Sequence, residues 1–248
     1  MSRKLISMLG AAVLCVAALP LSVQSAATPV SAVRNARPRA SAAGAQPRDL
    51  GGISPQVLKL AWDAVQCGIA SGDLAPPPTL TVIDYSRPSI EPRLWVFDVQ
   101  TGALLFKELV AHGRNTGENM ATSFSDGMNS HQSSLGLFVT GDTYVGNNGY
   151  SLRLDGLEPG FNAHARERAI VMHGAAYVDA KLATSQGRIG RSWGCPALRE
   201  AVARDVINTI RGGAVIFSYY PDAAWLKTSR FLNDCGGSPT PVSLTAGL

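Results

Sequence analysis

Two short stretches determine the fold expected for this chain of 248 residues: Gly190-Arg191-Ser192-Trp193-Gly194-Cys195-Pro196-Ala197, and His173-Gly174 upstream of it. Gly194 lets the backbone approach a ligand closely, and Pro196 makes the exit from Cys195 rigid. The amides of Gly194 and Cys195 are therefore candidates for binding an oxyanion, as acyl transfer requires. A helix after Pro196 would add the positive end of its dipole. This setting favours Cys195 as a nucleophile, with a small buried hydrophobic residue as the alternative.

A thiol nucleophile needs a base, and His173 is the candidate. It ends the apolar run Ala169-Ile170-Val171-Met172 and precedes Gly174. A residue at the end of a strand is held by the sheet and still reaches a cleft. The segment between His173 and Cys195 is long enough to loop back and place the two side by side. A histidine that only satisfies local hydrogen bonds is the alternative.

Other polar residues are candidates for substrate binding. Arg188 and Arg191 would favour both a thiolate and an anionic ligand, although surface arginines that serve solubility are the alternative. His112 follows the strand-like run Leu104–Val110 and is a second candidate for a histidine at the cleft; otherwise it is a hydrogen-bonding loop residue. The sequence has no Cys-x-x-Cys pair and no His-Glu-x-x-His motif, so it predicts no metal site and no cofactor.

The rest of the body is rich in short strands. Ser54-Pro55 predicts the start of a helix that Gly72 ends. A second helix is expected near Arg199–Arg211, stopped by Gly212-Gly213, and no other helix is predicted. Strands are expected at Thr79–Tyr85, Leu94–Val99, Ala103–Val110, Leu135–Val139, Tyr150–Leu154, Ala169–Met172 and Ala214–Tyr219.

The N-terminus has the order of a secretory signal peptide. A basic start, Met1–Lys4, precedes the apolar stretch Leu5–Leu21 and the small residues Ser25-Ala26-Ala27. A membrane anchor is disfavoured because this apolar core is short for a bilayer of about 30 Å. We expect a signal peptide at 1–27, a disordered Ala/Pro/Arg-rich linker at 28–49, a catalytic domain at 50–224 and a C-terminal tail at 225–248.

The distribution of charge argues against nucleic acid as the main partner, so no nucleic-acid partner is expected. The formal net charge of +4 comes from 22 basic and 18 acidic residues, but six of the basic residues and one acid precede Leu50. The body is therefore close to neutral and has no cluster of positive charge that would follow a phosphate backbone. A hydrophobic content of 46% permits a sizeable core.

Cys67 and Cys235 are the other two cysteines of the expected mature protein, since Cys15 lies in the signal peptide. Export permits a disulfide, which would join the tail to the first helix. Paired and free states both stay open, because the position of the tail cannot be inferred from the sequence.

These residues resemble the active-site signature of L,D-transpeptidases with the YkuD-type catalytic domain, in particular the murein L,D-transpeptidase catalytic domain proteins. The resemblance covers about Ser54 to Asp222. It implies a mainly β fold with a few helices, a partly closed β-sheet or barrel with the catalytic cysteine in a cleft. Further stretches that match in the same order are Pro92–Val96, Val110–Gly113, Ser133–Thr140 and Tyr150–Leu157.

The resemblance also implies roles for individual residues. Cys195 would be the nucleophile and His173 the base, oriented by the backbone carbonyl of Gly174. The amides near Gly194 and Cys195 would form the oxyanion hole. Beside these roles, the candidates for substrate binding on the residues themselves are Arg188, Arg191, Ser192, Trp193, His112 and Tyr177. For Tyr177, packing in the core or at the rim is the alternative.

Two positions depart from the widespread form of the signature, which has Ser-His-Gly-Cys followed by an arginine two residues after the cysteine. Here Trp193 takes the position of the histidine and Ala197 that of the arginine. The group that recognises a substrate carboxylate is therefore open, and we expect Arg191 or Arg188 to compensate.

The implied substrates are peptidoglycan stem peptides. Cys195 would attack the bond between the diamino acid and D-Ala and form a thioester, which an amine or water then resolves. The sequence leaves a transpeptidase and a carboxypeptidase open, beside a catalytically idle wall-binding module and a cysteine peptidase that acts on proteins. We expect an exported monomer in the periplasm or cell envelope, without a transmembrane segment in its mature form.

Overall fold

A nine-stranded mixed sheet forms the framework of residues 50–235, the part of the chain that this computed structural model describes. The predicted signal peptide, the whole of the predicted linker and the end of the tail lie outside the described residues. The strands are β1 (Thr79–Asp84), β2 (Leu94–Asp98), β3 (Leu104–Glu108), β4 (Val110–Ala111), β5 (Gly136–Gly146), β6 (Gly149–Gly156), β7 (Val171–Gly174), β8 (Ala197–Leu198) and β9 (Val215–Tyr219).

Two longer helices lie where the sequence predicts them, α1 (Pro55–Ala70) and α3 (Glu200–Ile210). The Ser54 hydroxyl accepts a hydrogen bond from the Val57 amide at 3.4 Å, so Ser54 caps α1 as expected. Three further helices were not predicted, because seven residues or fewer are too short to show helical periodicity. They are α2 (Ala180–Gln186), α4 (Ala223–Thr228) and α5 (Arg230–Asn233). None of the helices within residues 50–235 combines the length and apolar character needed to cross a membrane.

The sheet curls until it is nearly closed. Its strand order is β3-β2-β1-β9-β5-β6-β7-β8-β4, so β3 and β4 lie at opposite edges. Only Leu109 separates these two strands in the chain. The edges must therefore come together, which gives the mainly β, barrel-like fold that was expected.

Three elements differ from those predicted. The run Ala103–Val110 is divided between β3 and β4, because β4 pairs with β8 at the other edge. Strand β5 continues to Gly146, well beyond Val139, because its polar half pairs with β6 in a long hairpin. The short strand β8, which lies between Pro196 and α3, was not predicted; α3 begins at Glu200, close to the expected start at Arg199.

Both faces of the sheet are covered, which places the core on two sides of β1. Ile83 packs with Val206 and Ile207 of α3, whereas Leu80 and Val82 pack with α1. Alternate side chains of a strand point to opposite faces, so β1 is buried along its whole length.

The C-terminal segment belongs to this core as far as Cys235. Trp225 of α4 is fully buried and donates its Nε1–H to the Glu158 carboxylate at 3.0 Å. A disulfide joins Cys67 of α1 to Cys235, with the two Cα atoms 5.5 Å apart. The pairing that the sequence left open is therefore present, and the boundary predicted between 224 and 225 falls inside α4.

Candidate active site

Cys195 lies in the loop that enters β8, and its thiol rests against the start of β7. The Val171 amide donates a hydrogen bond to Sγ at 3.5 Å, and Sγ lies 3.7 Å from the Ala169 carbonyl oxygen, to which it donates. Cys195 is 8% exposed and is the free cysteine among the described residues. Burial raises the pKa of its thiol, so the neutral thiol dominates at pH 7.

The Cys195 loop is held by the hydroxyl of Ser192. This hydroxyl accepts from the Gly194 amide at 3.1 Å and donates to the Cys195 carbonyl at 2.6 Å. The structure thus differs from two predictions. The Gly194 amide is already engaged and is not free for an oxyanion, and Ser192 is buried within the loop rather than turned toward a substrate. The Cys195 amide donates to no other described residue.

His173 lies on β7, in parallel register with Ala197 of β8. Its Nδ1 is 2.9 Å from the Gly174 carbonyl oxygen, the contact that the family resemblance implies. A carbonyl can only accept, so Nδ1 carries the proton and the neutral ring has its lone pair on Nε2. Burial lowers the pKa of His173, which keeps this base-competent form at pH 7.

His173 lies on β7 and Cys195 lies two residues before β8, and no hydrogen bond joins their side chains. Among the described residues, Sγ of Cys195 bonds to the backbone of Ala169 and Val171 and not to the His173 ring. Catalytic hydrogen bonds are often long or misaligned in a free enzyme and tighten when substrate binds. A reaction at this thiol therefore has to break the contact between Sγ–H and the Ala169 carbonyl.

The predicted anion-binding arginines are already paired. Nη1 of Arg191 is 2.7 Å from Glu118 and also donates to the Gly117 carbonyl, while Nε of Arg188 is 2.9 Å from the same carboxylate. They fasten the loop that carries Glu118. Both arginines that were expected to compensate for the missing signature arginine are thus paired with one exposed carboxylate. Ala197 itself is fully buried in β8.

His112 is a buried structural residue rather than a ligand for substrate. Its Nδ1 accepts from Arg93 at 2.8 Å, and its Nε2–H donates to the Gly117 carbonyl at 3.3 Å. Burial, with the positive charges of Arg93 and Arg191, lowers the pKa of His112 to about 4. The ring is neutral at pH 7, and both of its nitrogens are occupied.

Two aromatic residues among the candidates surround the Cys195 loop. Trp193 is 68% exposed and stacks on the ring of His131, with ring centroids 4.9 Å apart. His131 has a left-handed backbone, φ 54°, which a non-glycine residue rarely adopts. The half-buried ring of Tyr177 packs where a Cβ on Gly190 would stand, and burial together with the nearby Cys195 raises its pKa. Trp193 is the exposed candidate for contact with a substrate.

Sequence reasoning missed Arg168, the cation that acts on Cys195. Its side chain is 3% exposed, and its positive charge lowers the pKa of the thiol against the effect of burial. The available signal was an arginine directly before the apolar strand that ends in His173. Within residues 50–235, no group of three His, Cys, Asp or Glu side chains is arranged to hold a metal ion.

Comparison with known proteins identifies one family model. Residues 50–219 match the model described as L,D-transpeptidase catalytic domain, which covers more than half of the chain. No curated protein matches the sequence.

Several solved structures resemble this one at low sequence identity. An L,D-transpeptidase from Mycobacterium smegmatis is 15% identical, with a TM-score of 0.37, and the match covers 58% of this chain and 59% of that one. An L,D-transpeptidase from Stackebrandtia nassauensis is 16% identical, with a TM-score of 0.35, over 65% of this chain and 67% of that one. The chain thus spans about three fifths of the length of the mycobacterial protein.

Proposed function

Because the chain belongs to the L,D-transpeptidase catalytic domain family, we propose that it is a peptidoglycan-modifying cysteine acyltransferase. The substrate is a stem tetrapeptide, cleaved between the diamino acid and D-Ala. One observation carries the proposal: His173 lies on β7 in register with Ala197 of β8, two residues after Cys195, and Nδ1–H of His173 is donated to the Gly174 carbonyl. The lone pair on Nε2 is thereby available to a thiol.

The first half-reaction forms a thioester. The Cys195 thiol leaves the Ala169 carbonyl, and Nε2 of His173 takes its proton. Sγ bonds to the carbonyl carbon of the diamino acid while the bond from that carbon to the D-Ala nitrogen breaks. The proton on Nε2 moves to that nitrogen, so D-Ala leaves as a free amine. Since the Gly194 amide is engaged by Ser192, the oxyanion is stabilised by the amide of Cys195 itself.

The second half-reaction releases the thiol. An amine of a neighbouring stem loses a proton to His173 and bonds to the thioester carbonyl, and the bond from that carbonyl to Sγ breaks. The sulfur recovers the proton, which regenerates the thiol and leaves a cross-link. If water is the acceptor instead, the same steps leave a tripeptide acid, and the enzyme is an L,D-carboxypeptidase.

Incubation with a purified tetrapeptide muropeptide, followed by mass spectrometry, tests the proposal. The native chain is expected to release D-Ala, and Cys195→Ala is expected to lower this rate at least about 10³-fold, as loss of a covalent nucleophile does. His173→Ala should lower it with the fold intact. A product joined to a second stem identifies a transpeptidase, and a tripeptide acid identifies a carboxypeptidase. D-Ala release that persists in folded Cys195→Ala would contradict the nucleophile assignment.

A specific observation favours a second candidate, a wall-binding module that no longer catalyses. The thiol is buried, is bonded to Ala169 rather than His173, and has a raised pKa. A carbapenem tests this directly, because a reactive thiolate opens the β-lactam and leaves a mass adduct on Cys195. An adduct on the folded native chain supports the enzyme. If the folded chain stays unmodified but binds muropeptides, the binding module is the better assignment.

The proposal includes export to the periplasm or cell envelope. The basic start, apolar stretch and small residues at 1–27 support it. The Cys67–Cys235 disulfide is consistent with an oxidising compartment.

A further inference from the structure

Arg168 connects the start of β7 to the segment before β5. Its guanidinium donates to the Ser125 and Gln132 carbonyls at 2.8 and 2.7 Å, and to the Ser130 and Ser134 hydroxyls at 3.0 and 2.5 Å. A buried guanidinium with four accepting partners holds those partners in fixed positions, since losing any one of them leaves a polar group unsatisfied.

Both sides of the Cys195 thiol site depend on segments that Arg168 holds. On one side, Ala169 follows it directly in the chain, has a left-handed φ of 54°, and places its carbonyl oxygen beside Sγ. On the other side, the Gln132 carbonyl oxygen lies 2.7 Å from the point where a Cβ on Gly194 would stand. Arg168 therefore fixes the backbone before the thiol by covalent connection and the backbone behind it by hydrogen bonds.

The charge of Arg168 also reaches the thiol. Two tyrosines interact electrostatically with Cys195: Tyr85 after β1 and Tyr177 after β7. Both are neutral phenols at pH 7, since burial raises their pKa values. His173 on β7 is neutral at pH 7. Arg168 is the cation among the groups that act on Cys195, and its own charge is offset by Asp126, 3.7 Å from Nη1.

We propose that Arg168 is the positioning residue of the Cys195 site: it holds the backbone beside Sγ and the backbone packed against Gly194, and it supplies the positive charge that a thiolate needs. The inference rests on the proposed function only in taking Cys195 as the reacting thiol. Its importance comes from the departures of this sequence, because the buried Ala197 leaves no arginine after the cysteine and Arg188 and Arg191 are paired with Glu118. The positive charge near Cys195 comes instead from Arg168, which lies just before β7.

The test is the pH dependence of Cys195 alkylation by iodoacetamide in the full, disulfide-bonded chain. Only the thiolate reacts, so the midpoint of the rate against pH reports the pKa of Cys195. We expect Arg168→Met to move the midpoint upward by about one unit, which lowers the rate near pH 7 about tenfold. Arg168→Lys keeps the charge and loses the planar fork, so its midpoint should stay close to the native one, whereas its rate can change with the lost hydrogen bonds.

Arg166→Met is the matched control, since Arg166 lies two residues earlier on the surface and pairs with Asp155. It should leave the midpoint unchanged. If Arg168 were only structural, both of its substitutions would open the site and speed alkylation at every pH, without moving the midpoint. That outcome, in folded variants, would overturn the proposal.

Asp126→Asn keeps the proposal testable if Arg168→Met does not fold. It removes the carboxylate that offsets Arg168 and leaves the guanidinium in place, so the alkylation midpoint should fall. A midpoint that stays or rises would contradict the charge argument. Alkylation needs no muropeptide, so this result is independent of D-Ala release. Failure of the acyltransferase proposal would appear in the D-Ala assay, and failure of the Arg168 proposal would appear in the alkylation assay.

Discussion

His112 and His173 are buried imidazoles that differ in what occupies their nitrogens. Nδ1 of His112 accepts from the Arg93 guanidinium and its Nε2–H is donated to the Gly117 carbonyl, so the ring has no site left for chemistry. His173 donates only its Nδ1–H, to the Gly174 carbonyl, and its Nε2 lone pair remains available. The same residue type therefore serves packing in one case and is available as a base in the other.

His112 makes folding sensitive to acid. Its pKa of about 4 in the folded protein lies below the ordinary value of about 6.5, so between these values the unfolded chain binds a proton that the folded protein does not. The free energy of unfolding should therefore fall by about 3 kcal/mol as the pH drops from about 6.5 to about 4. Chemical denaturation at a series of pH values measures this change.

His112→Gln provides the comparison, since glutamine cannot titrate. The variant should be less stable at pH 7, where it loses part of the Arg93 contact, and the difference from the native chain should shrink toward pH 4. Parallel curves for the two chains would rule out His112 as the source of the acid sensitivity.

Single-residue predictions succeeded where the partner is close in the chain and failed where it is distant. The Gly174 carbonyl adjoins His173, so that contact was predictable. Arg191 was assigned to a substrate because its partner, Glu118, is 73 positions away in the sequence. Arg168 was missed for the same reason: its carbonyl partners lie more than thirty residues upstream and nothing in its local sequence marks a buried cation.

Among secondary-structure elements, the length of the apolar pattern decided what was predictable. Helix α1 has a cap, a proline and a long apolar face, and all three are visible in the sequence. Strand β8 has two residues and exists because it pairs with β7 and β4, so no local pattern distinguishes it from the start of a helix. The docking of α4 and α5 depends on Trp225, Phe231 and the disulfide, which are tertiary contacts.

The Cys67–Cys235 disulfide fastens these C-terminal helices to α1. It closes a loop of 168 positions in sequence, so its loss should lower the free energy of unfolding by about 2–5 kcal/mol, mainly because the unfolded chain gains entropy. Thermal or urea unfolding of the Cys67→Ser/Cys235→Ser double variant against the native chain measures this loss. Cys195→Ser is the matched control for removal of a thiol outside the bridge. An unchanged urea midpoint in the double variant would show that packing of Trp225 and Phe231 alone holds the segment.

At the scale of the whole molecule, closure of the sheet depends on a residue between its edges. Arg93 is fully buried at the start of β2, and its guanidinium donates to the Val110 carbonyl of β4 through Nε at 3.1 Å and Nη2 at 2.9 Å. Nη1 donates to the Arg87 carbonyl, and Nη2 also donates to Nδ1 of His112. The stretch Pro92–Val96 marks this position in the sequence, but no local pattern predicts the pairing of distant edges, because strand order is set by contacts that span most of the chain.

Removing Arg93 should therefore loosen the closed sheet as a whole. Arg93→Gln removes the guanidinium that donates to the Val110 and Arg87 carbonyls and to the His112 ring. We expect the free energy of unfolding to fall by about 3–5 kcal/mol, because each buried acceptor left unsatisfied costs about 1–3 kcal/mol. Arg211→Gln, at the exposed end of α3, is the matched control and should change stability by less than about 0.5 kcal/mol. Hydrogen exchange locates the effect: amides of β2, β3 and β4 should lose protection together, because these strands meet at the closure. If Arg93→Gln weakened only the amides beside Val110, Arg93 would be a local support, and closure would rest on the apolar core alone.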